Sequence, residues 1–209
     1  MRIVFLVETA AQIWGGVKVV LEDANWLAAR GHQVTVLSKS SPPDWMGMHC
    51  DFRTVKDFSP ERVPAADIVV GTFWSTVPDA VRAASGPAAG VPVHFCQGYE
   101  GDNPENAPIK ARIEEVYRNP DASKITISTH LTRLLKDRFG CDARQVTYAV
   151  DHQVMFPRPL RPKATEGLVR VGLVGPYEIA WKDIPTGIEA CALAHRAGLE
   201  LQLDRKSVV

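Results

Sequence analysis

The hydrophobic pattern along the chain changes register repeatedly between two periods. Arg2–Val7 (RIVFLV) is a nearly unbroken apolar, β-branched run, the mark of a strand covered on both faces, as in a parallel sheet. From about Gly16 to Arg30 the apolar positions Val17, Val20, Leu21, Ala24, Leu27 and Ala28 recur at intervals of three and four. That spacing predicts an amphipathic helix with one stripe facing a sheet, stopped at Gly31. Gln33–Ser38 (QVTVLS) is a second strand, so the first 38 residues form a β-α-β unit with an expected right-handed crossover.

The alternation continues. Strands are predicted at Asp67–Phe73, Val91–Gln97, Lys124–Ser128 and Gln145–Val150. Helices are predicted through VPDAVRAA, near Ile109–Tyr117, and through THLTRLLKDRFG, whose Leu131, Leu134, Leu135 and Phe139 form a stripe. Strands alternating with helices predict an α/β, Rossmann-like, doubly wound parallel sheet over residues 1–150. Residues 151–167 hold three prolines, three Lys or Arg residues and no periodicity, and read as an inter-domain linker. At Leu168–Gly175 (LVRVGLVG) a buried strand starts afresh, followed by a helix at about Ile184–Ala197 and a strand at LELQL. Residues 168–209 therefore read as the start of a second Rossmann-like domain, expected to be truncated, because one β-α-β unit cannot complete a core.

Composition narrows the class. Of 209 residues, 45% are hydrophobic and 23% charged, ordinary for a globular protein. The 24 basic and 24 acidic side chains balance, so no overall basic field draws the molecule to nucleic acid. No apolar run approaches the roughly 18 residues that span a bilayer, and the N-terminal run is too short for a signal peptide core. Cys50, Cys96, Cys141 and Cys191 lie far apart with no C-x-x-C, which argues against a metal cluster or disulfide framework and fits a reducing cytoplasm.

The candidate chemistry gathers where strands are expected to end. Gly15-Gly16 lies between a strand and a helix, where glycines admit close backbone approach and helix N–H groups favour anions; the alternative is a tight turn with no ligand. The spacing WGGVKV is not the G-x-G-x-x-G dinucleotide fingerprint. HFCQGYEGDN is a polar and aromatic cluster at a strand end. His94 falls inside the strand and reads as a core histidine, whereas Gln97, Tyr99 and Glu100 read as cleft residues. A Gln side chain offers both a donor and an acceptor to a hydroxylated ligand. Phe73, Trp74 and Ser75 follow another strand end, with packing as the competing role for Trp74. His130 and Thr132 follow a third, where Ser128 or Thr129 also reads as a helix N-cap. No G-x-S-x-G, H-E-x-x-H or G-x-x-x-x-G-K-[ST] occurs.

Three stretches in order carry a family resemblance. They are the Gly-Gly loop between first strand and helix; ISTHLTRLLKDRFG followed by VTYAVDHQVMFPRP; and VGLVGPYEIAWKDIPTGIEACALA. Together these resemble the retaining, nucleotide-sugar-dependent glycosyltransferases of the GT-B fold, in particular glycosyltransferase family 4, over nearly the whole chain. The family's V-x-N-G-V-D-x-x-x-F-x-P is matched at Val146, Val150, Asp151 and Pro157. Tyr148-Ala149 stand where Asn-Gly is usual, and Met155 where Phe is usual. The family's G-R-x-x-x-x-x-K-G is matched at Gly175 and Lys182, with Pro176 in place of Arg and Asp183 in place of Gly. The late paired-glutamate motif is not in these residues.

The resemblance implies two Rossmann-like domains, with the donor nucleotide mainly on the second and the acceptor on the first. It assigns Gly15, Gly16, Gly175 and Lys182 to the donor diphosphate, and Gln97 and Glu100 to the reacting sugar. Trp74, Ser75, Tyr99 and His130 fall on the acceptor side. The implied partners are a nucleotide-diphosphate sugar and a glycan, lipid or small acceptor. No metal is required, since no D-x-D motif is present. A cytoplasmic location is implied, with a peripheral membrane contact left open. A competing reading, supported by Pro176 and Asp183, is a catalytically inactive module that binds an acceptor or partner; as a 209-residue chain the protein is expected to be inactive alone.

Overall fold

In the computed structural model, residues 1–86, 88–148, 150, 155–157 and 167–206 are described. The chain divides into two compact units, Met1–Ala149 and Val150–Val209. The expected linker over 151–167, Asp151 included, lies mostly outside the described residues.

The first unit is built on a seven-stranded, wholly parallel sheet. Its strands are β1 (Arg2–Val7), β2 (Gln33–Ser38), β3 (Asp51–Thr54), β4 (Ile68–Gly71), β5 (Val91–Cys96), β6 (Ser123–Thr126) and β7 (Ala143–Gln145), in the order β3-β2-β1-β4-β5-β6-β7. The order reverses between β1 and β4, which opens a crevice at the carboxyl ends of those strands, where doubly wound α/β sheets hold ligands. The helices α1 (Gly15–Ala29), α2 (Val77–Ala84), α3 (Lys110–Arg118) and α4 (Thr129–Phe139) cover its two faces.

The pleat divides the core. Ile3, Phe5 and Val7 of β1 pack with Val34, Val36 and Phe95 against Val20, Leu21 and Ala24 of α1. Val4 and Leu6, pointing the other way, pack with Leu37 and Val69 against Phe58 and Ala80, Ala83 and Ala84 of α2. This two-sided burial is why β1 reads as continuously apolar. Beyond β5, Tyr117, Ile113, Leu131 and Leu135 of α3 and α4 form a third cluster with Cys96 and Tyr99.

Two strand expectations are corrected. The predicted strand over Gln145–Val150 is instead β7, Ala143–Gln145, paired from Lys124↔Ala143 to Thr126↔Gln145. One more bond, from Val146 N–H to the Thr126 carbonyl at 2.8 Å, closes the ladder. Pairing stops there because β6 itself stops. Ser128 caps α4, its side chain accepting from Leu131 N–H at 3.2 Å, so residues 147 and 148 have no partner strand. The short edge strand β3 (DFRT) went unpredicted: only Phe52 is apolar in it, and it is held by pairing to Thr35–Ser38.

The second unit contains β8 (Val169–Val174), α5 (Ile184–Arg196) and β9 (Leu201–Lys206), with β8 and β9 parallel from Val169↔Leu201 to Val174↔Lys206. Helix α5 lies close on β8: a Cβ on Gly187 would sit 2.8 Å from a Leu173 methyl. The predicted β-α-β unit is therefore present, with its last strand running three residues beyond Leu203.

Candidate functional site

Helix α1 begins at Gly15, after Trp14 in extended conformation, and no side chain caps it. The first N–H groups of a helix have no partner within it, so this terminus presents donors and the positive end of the helix dipole. Neither Gly15 nor Gly16 has positive φ, so the glycines are not demanded by a left-handed turn. Gly15 faces open space, whereas a Cβ on Gly16 would meet the Gln97 carboxamide at 3.4 Å. Close approach to Gln97 is the constraint on Gly16.

Gln97 follows β5 directly. Its Nε2 donates to the Gly16 carbonyl at 3.0 Å, and its Oε1 accepts from the Tyr148 hydroxyl at 2.5 Å. Burial pushes the Tyr148 phenol up to about 12, with Asp23 adding to the effect, so the hydroxyl keeps its proton and donates. Gln97, Tyr99 and His130, three residues singled out in the sequence, line one cavity of about 330 Å³ with Gly98, Asp102 and Ser128 over a floor of Ile127, Leu131 and Leu134. The Tyr99 ring is largely buried against Tyr117 and Phe139, and its hydroxyl donates to Glu114 at 3.3 Å.

Glu100 does not line that cavity. The buried Tyr117 hydroxyl lies between the Glu100 carboxylate and the Gly98 carbonyl, 2.7 Å from the latter, and its single proton is shared between these two acceptors. Burial raises the Glu100 carboxyl above its ordinary range. The structure thus separates the two residues that the family resemblance assigned to the reacting sugar. Gln97 faces the cavity, while Glu100 and Tyr117 hold the turn that carries it. Just before that turn, His94 is 1% exposed and lies edge-on to Tyr117, ring centroids 4.8 Å apart, as a core histidine should.

Trp74 and Ser75 lie beyond β4 and are likewise partnered. Trp74 packs beneath the Arg112 guanidinium, 5.5 Å from the ring centroid. Ser75 Oγ donates to Glu8 Oε1 at 2.6 Å, and Glu8 Oε2 accepts from Lys39 Nζ at 2.8 Å. This Glu8–Ser75–Lys39 set joins the ends of β1, β2 and β4 at the crevice. Glu8 and Lys39 had no motif to announce them; position directly after an apolar strand was the available signal. Tyr148 was visible only as a departure from a familiar pattern, and its contact with Gln97 spans 51 residues.

In the second unit, Gly175 and Lys182 are brought together: a Cβ on Gly175 would lie 3.4 Å from Lys182 Cβ. Gly175 has φ +148, a conformation side chains rarely adopt. Lys182 makes no ion pair with a carboxylate among the described residues. Asp183 has φ +47, in the left-handed region that favours glycine. Among the described residues no group of three His, Cys, Asp or Glu side chains is placed to hold a metal ion, and no helix is long and apolar enough to cross a membrane.

No protein-family model and no curated protein matches the sequence. Solved structures do match. The chain is similar over its whole length to Anabaena HepE in complex with UDP-glucose, at 12% identity and TM-score 0.60, covering 69% of that chain. It is also similar over its whole length to the lipopolysaccharide outer core galactosyltransferase WaaB in its apo form, at 13% identity and TM-score 0.57, covering 68% of that chain. At such low identity the likeness is one of fold: a Rossmann-like α/β unit of the GT-B type, followed by a β-α-β unit.

Proposed function

We propose that the protein is a retaining glycosyltransferase that moves a sugar from a nucleotide-diphosphate sugar to a glycan, lipid or small acceptor. The observation that carries this reading is the union of the Gly15-Gly16 loop and Gln97 at the carboxyl edge of a parallel sheet, beside a cavity lined by Tyr99 and His130. The fold shared with a UDP-glucose complex and a galactosyltransferase supports it.

In this reading, the helix terminus at Gly15 and Gly16 and the Lys182 ammonium stabilise charge that develops on the departing diphosphate, which is the main electrostatic demand of glycosyl transfer. Gln97 orients the sugar, and Tyr99 and His130 border the acceptor. Trp74 and Ser75 shape the acceptor side from the β4 loop. Glu100 supports Gln97 through Tyr117 rather than touching the sugar. In this reading no resident metal is needed, because the Lys182 ammonium and the helix N–H groups offset the diphosphate charge.

Calorimetry of the chain with UDP-, GDP- and dTDP-sugars tests the reading. One nucleotide class should bind, and Lys182→Ala should weaken it about tenfold, the worth of one charge-assisted contact. Product NMR should show the donor's anomeric configuration preserved. Absence of binding by every nucleotide sugar would overturn the proposal.

A further inference from the structure

We propose that Tyr148 is a positioning residue that presets the Gln97 carboxamide to grip a vicinal diol of a sugar. This rests on the glycosyltransferase reading above and deepens it. The geometry fixes which way the amide points. The Gly16 carbonyl can only accept, so the Gln97 Nε2 must face it, at 3.0 Å. Oε1 then faces Tyr148, whose hydroxyl donates to it at 2.5 Å. A flip would set the amide oxygen against the Gly16 carbonyl and lose that hydrogen bond, while the Tyr148 hydroxyl holds the other end of the amide in place.

A carboxamide carries two N–H donors and two acceptor lone pairs on its oxygen. Gly16 and Tyr148 consume one of each. One donor and one acceptor remain, on a residue that lines the cavity. Two neighbouring hydroxyls, one accepting and one donating, match that pair; a phosphate, which only accepts when ionised, does not. The absence of a side chain on Gly16 completes the arrangement, since a Cβ there would press on the carboxamide. Tyr148 is 43% exposed, so losing its hydroxyl leaves the core intact.

The diol could belong to the donor or to the acceptor, and one NMR experiment on the whole chain distinguishes them. The Gln97 side-chain amide signals are followed while UDP-glucose, UDP or methyl glucoside is added to the wild type and to Tyr148→Phe, and calorimetry gives the affinity of the same ligands for these two proteins, for Gln97→Leu and for the double variant. In the free protein, Tyr148→Phe should speed solvent exchange of the Gln97 amide protons severalfold. UDP-glucose moving the signals while UDP does not places the diol on the donor; methyl glucoside moving them places it on the acceptor. Tyr148→Phe should then weaken the sugar ligand roughly fivefold, the worth of one oriented hydrogen bond. It should leave UDP unaffected and add nothing to Gln97→Leu. If sugar moves the Gln97 signals but Tyr148→Phe binds it as well as wild type, the positioning role is overturned and the glycosyltransferase reading stands. If neither UDP-glucose nor methyl glucoside moves the Gln97 signals of the wild type, this inference is overturned, and the glycosyltransferase reading is decided separately by the calorimetry with all three nucleotide-sugar classes.

Discussion

His94 offers a quantitative test of how the sheet around the site is built. It sits in β5, in register with Gly71 on one side and Lys124 on the other. Neither ring nitrogen has a hydrogen-bond partner among the described residues. Burial, with the Lys124 ammonium as a lesser cause, lowers its pKa from 6.5 to about 3. Lys124 itself is tied down, donating to the carbonyls of Asn119 at 2.6 Å and Ala122 at 3.2 Å. Folded His94 thus stays neutral while unfolded His94 takes up a proton below pH 6.5. The unfolded state binds more protons, so stability falls as the pH drops from about 6.5 toward 3. Between pH 7 and 4.5 the loss from this residue is about 2.5 kcal/mol, at 1.36 kcal/mol per pH unit over the range in which only the unfolded state is protonated.

The perturbation is His94→Leu, and the assay is urea unfolding at pH 7 and 4.5, followed by fluorescence. Four of the five tryptophans lie in residues 1–149, so the signal reports mainly the first unit. Removing two unpaired nitrogens and losing the ring contact with Tyr117 change stability equally at both pH values, and cancel in the difference. Contributions from groups away from position 94 are common to both proteins and cancel as well. The variant should therefore lose about 2.5 kcal/mol less than wild type on acidification. A difference under about 0.5 kcal/mol would refute a neutral, buried His94, given the scatter of single-residue effects.

Two further outcomes are expected. Tyr117→Phe removes the hydroxyl held by Gly98 and Glu100 and strands a buried carboxylate. It should cost about 1–3 kcal/mol in the same unfolding assay, and less below pH 4.5, where Glu100 is protonated in both states. Gly71→Ala places a Cβ 2.7 Å from Val77 Cα, where α2 starts against the end of β4. Overpacking of about 1–3 kcal/mol should appear as a lower thermal midpoint, and an unchanged midpoint would show that α2 shifts freely.

The sequence by itself determined whatever depends on neighbours a few residues away. The β1 run, the α1 stripe, the limits of α2, the Ser128 cap and the φ +68 stop at Gly140 are all written in local spacing, because helix and strand periodicity is a local property. Even His94 was legible as core, since a residue inside an apolar strand of a two-sided sheet has nowhere else to go. Only the tertiary structure decided what depends on partners far away. β3 exists because β2 offers an edge, and β7 ends where β6 ends. Glu100 turns from the cavity because Tyr117, 17 residues on, meets it inside the core. The site's central device joins Gly16 to Gln97 across 81 residues and Gln97 to Tyr148 across 51. No local pattern encodes such pairings; they are fixed only when parallel crossovers stack the strand ends along one edge.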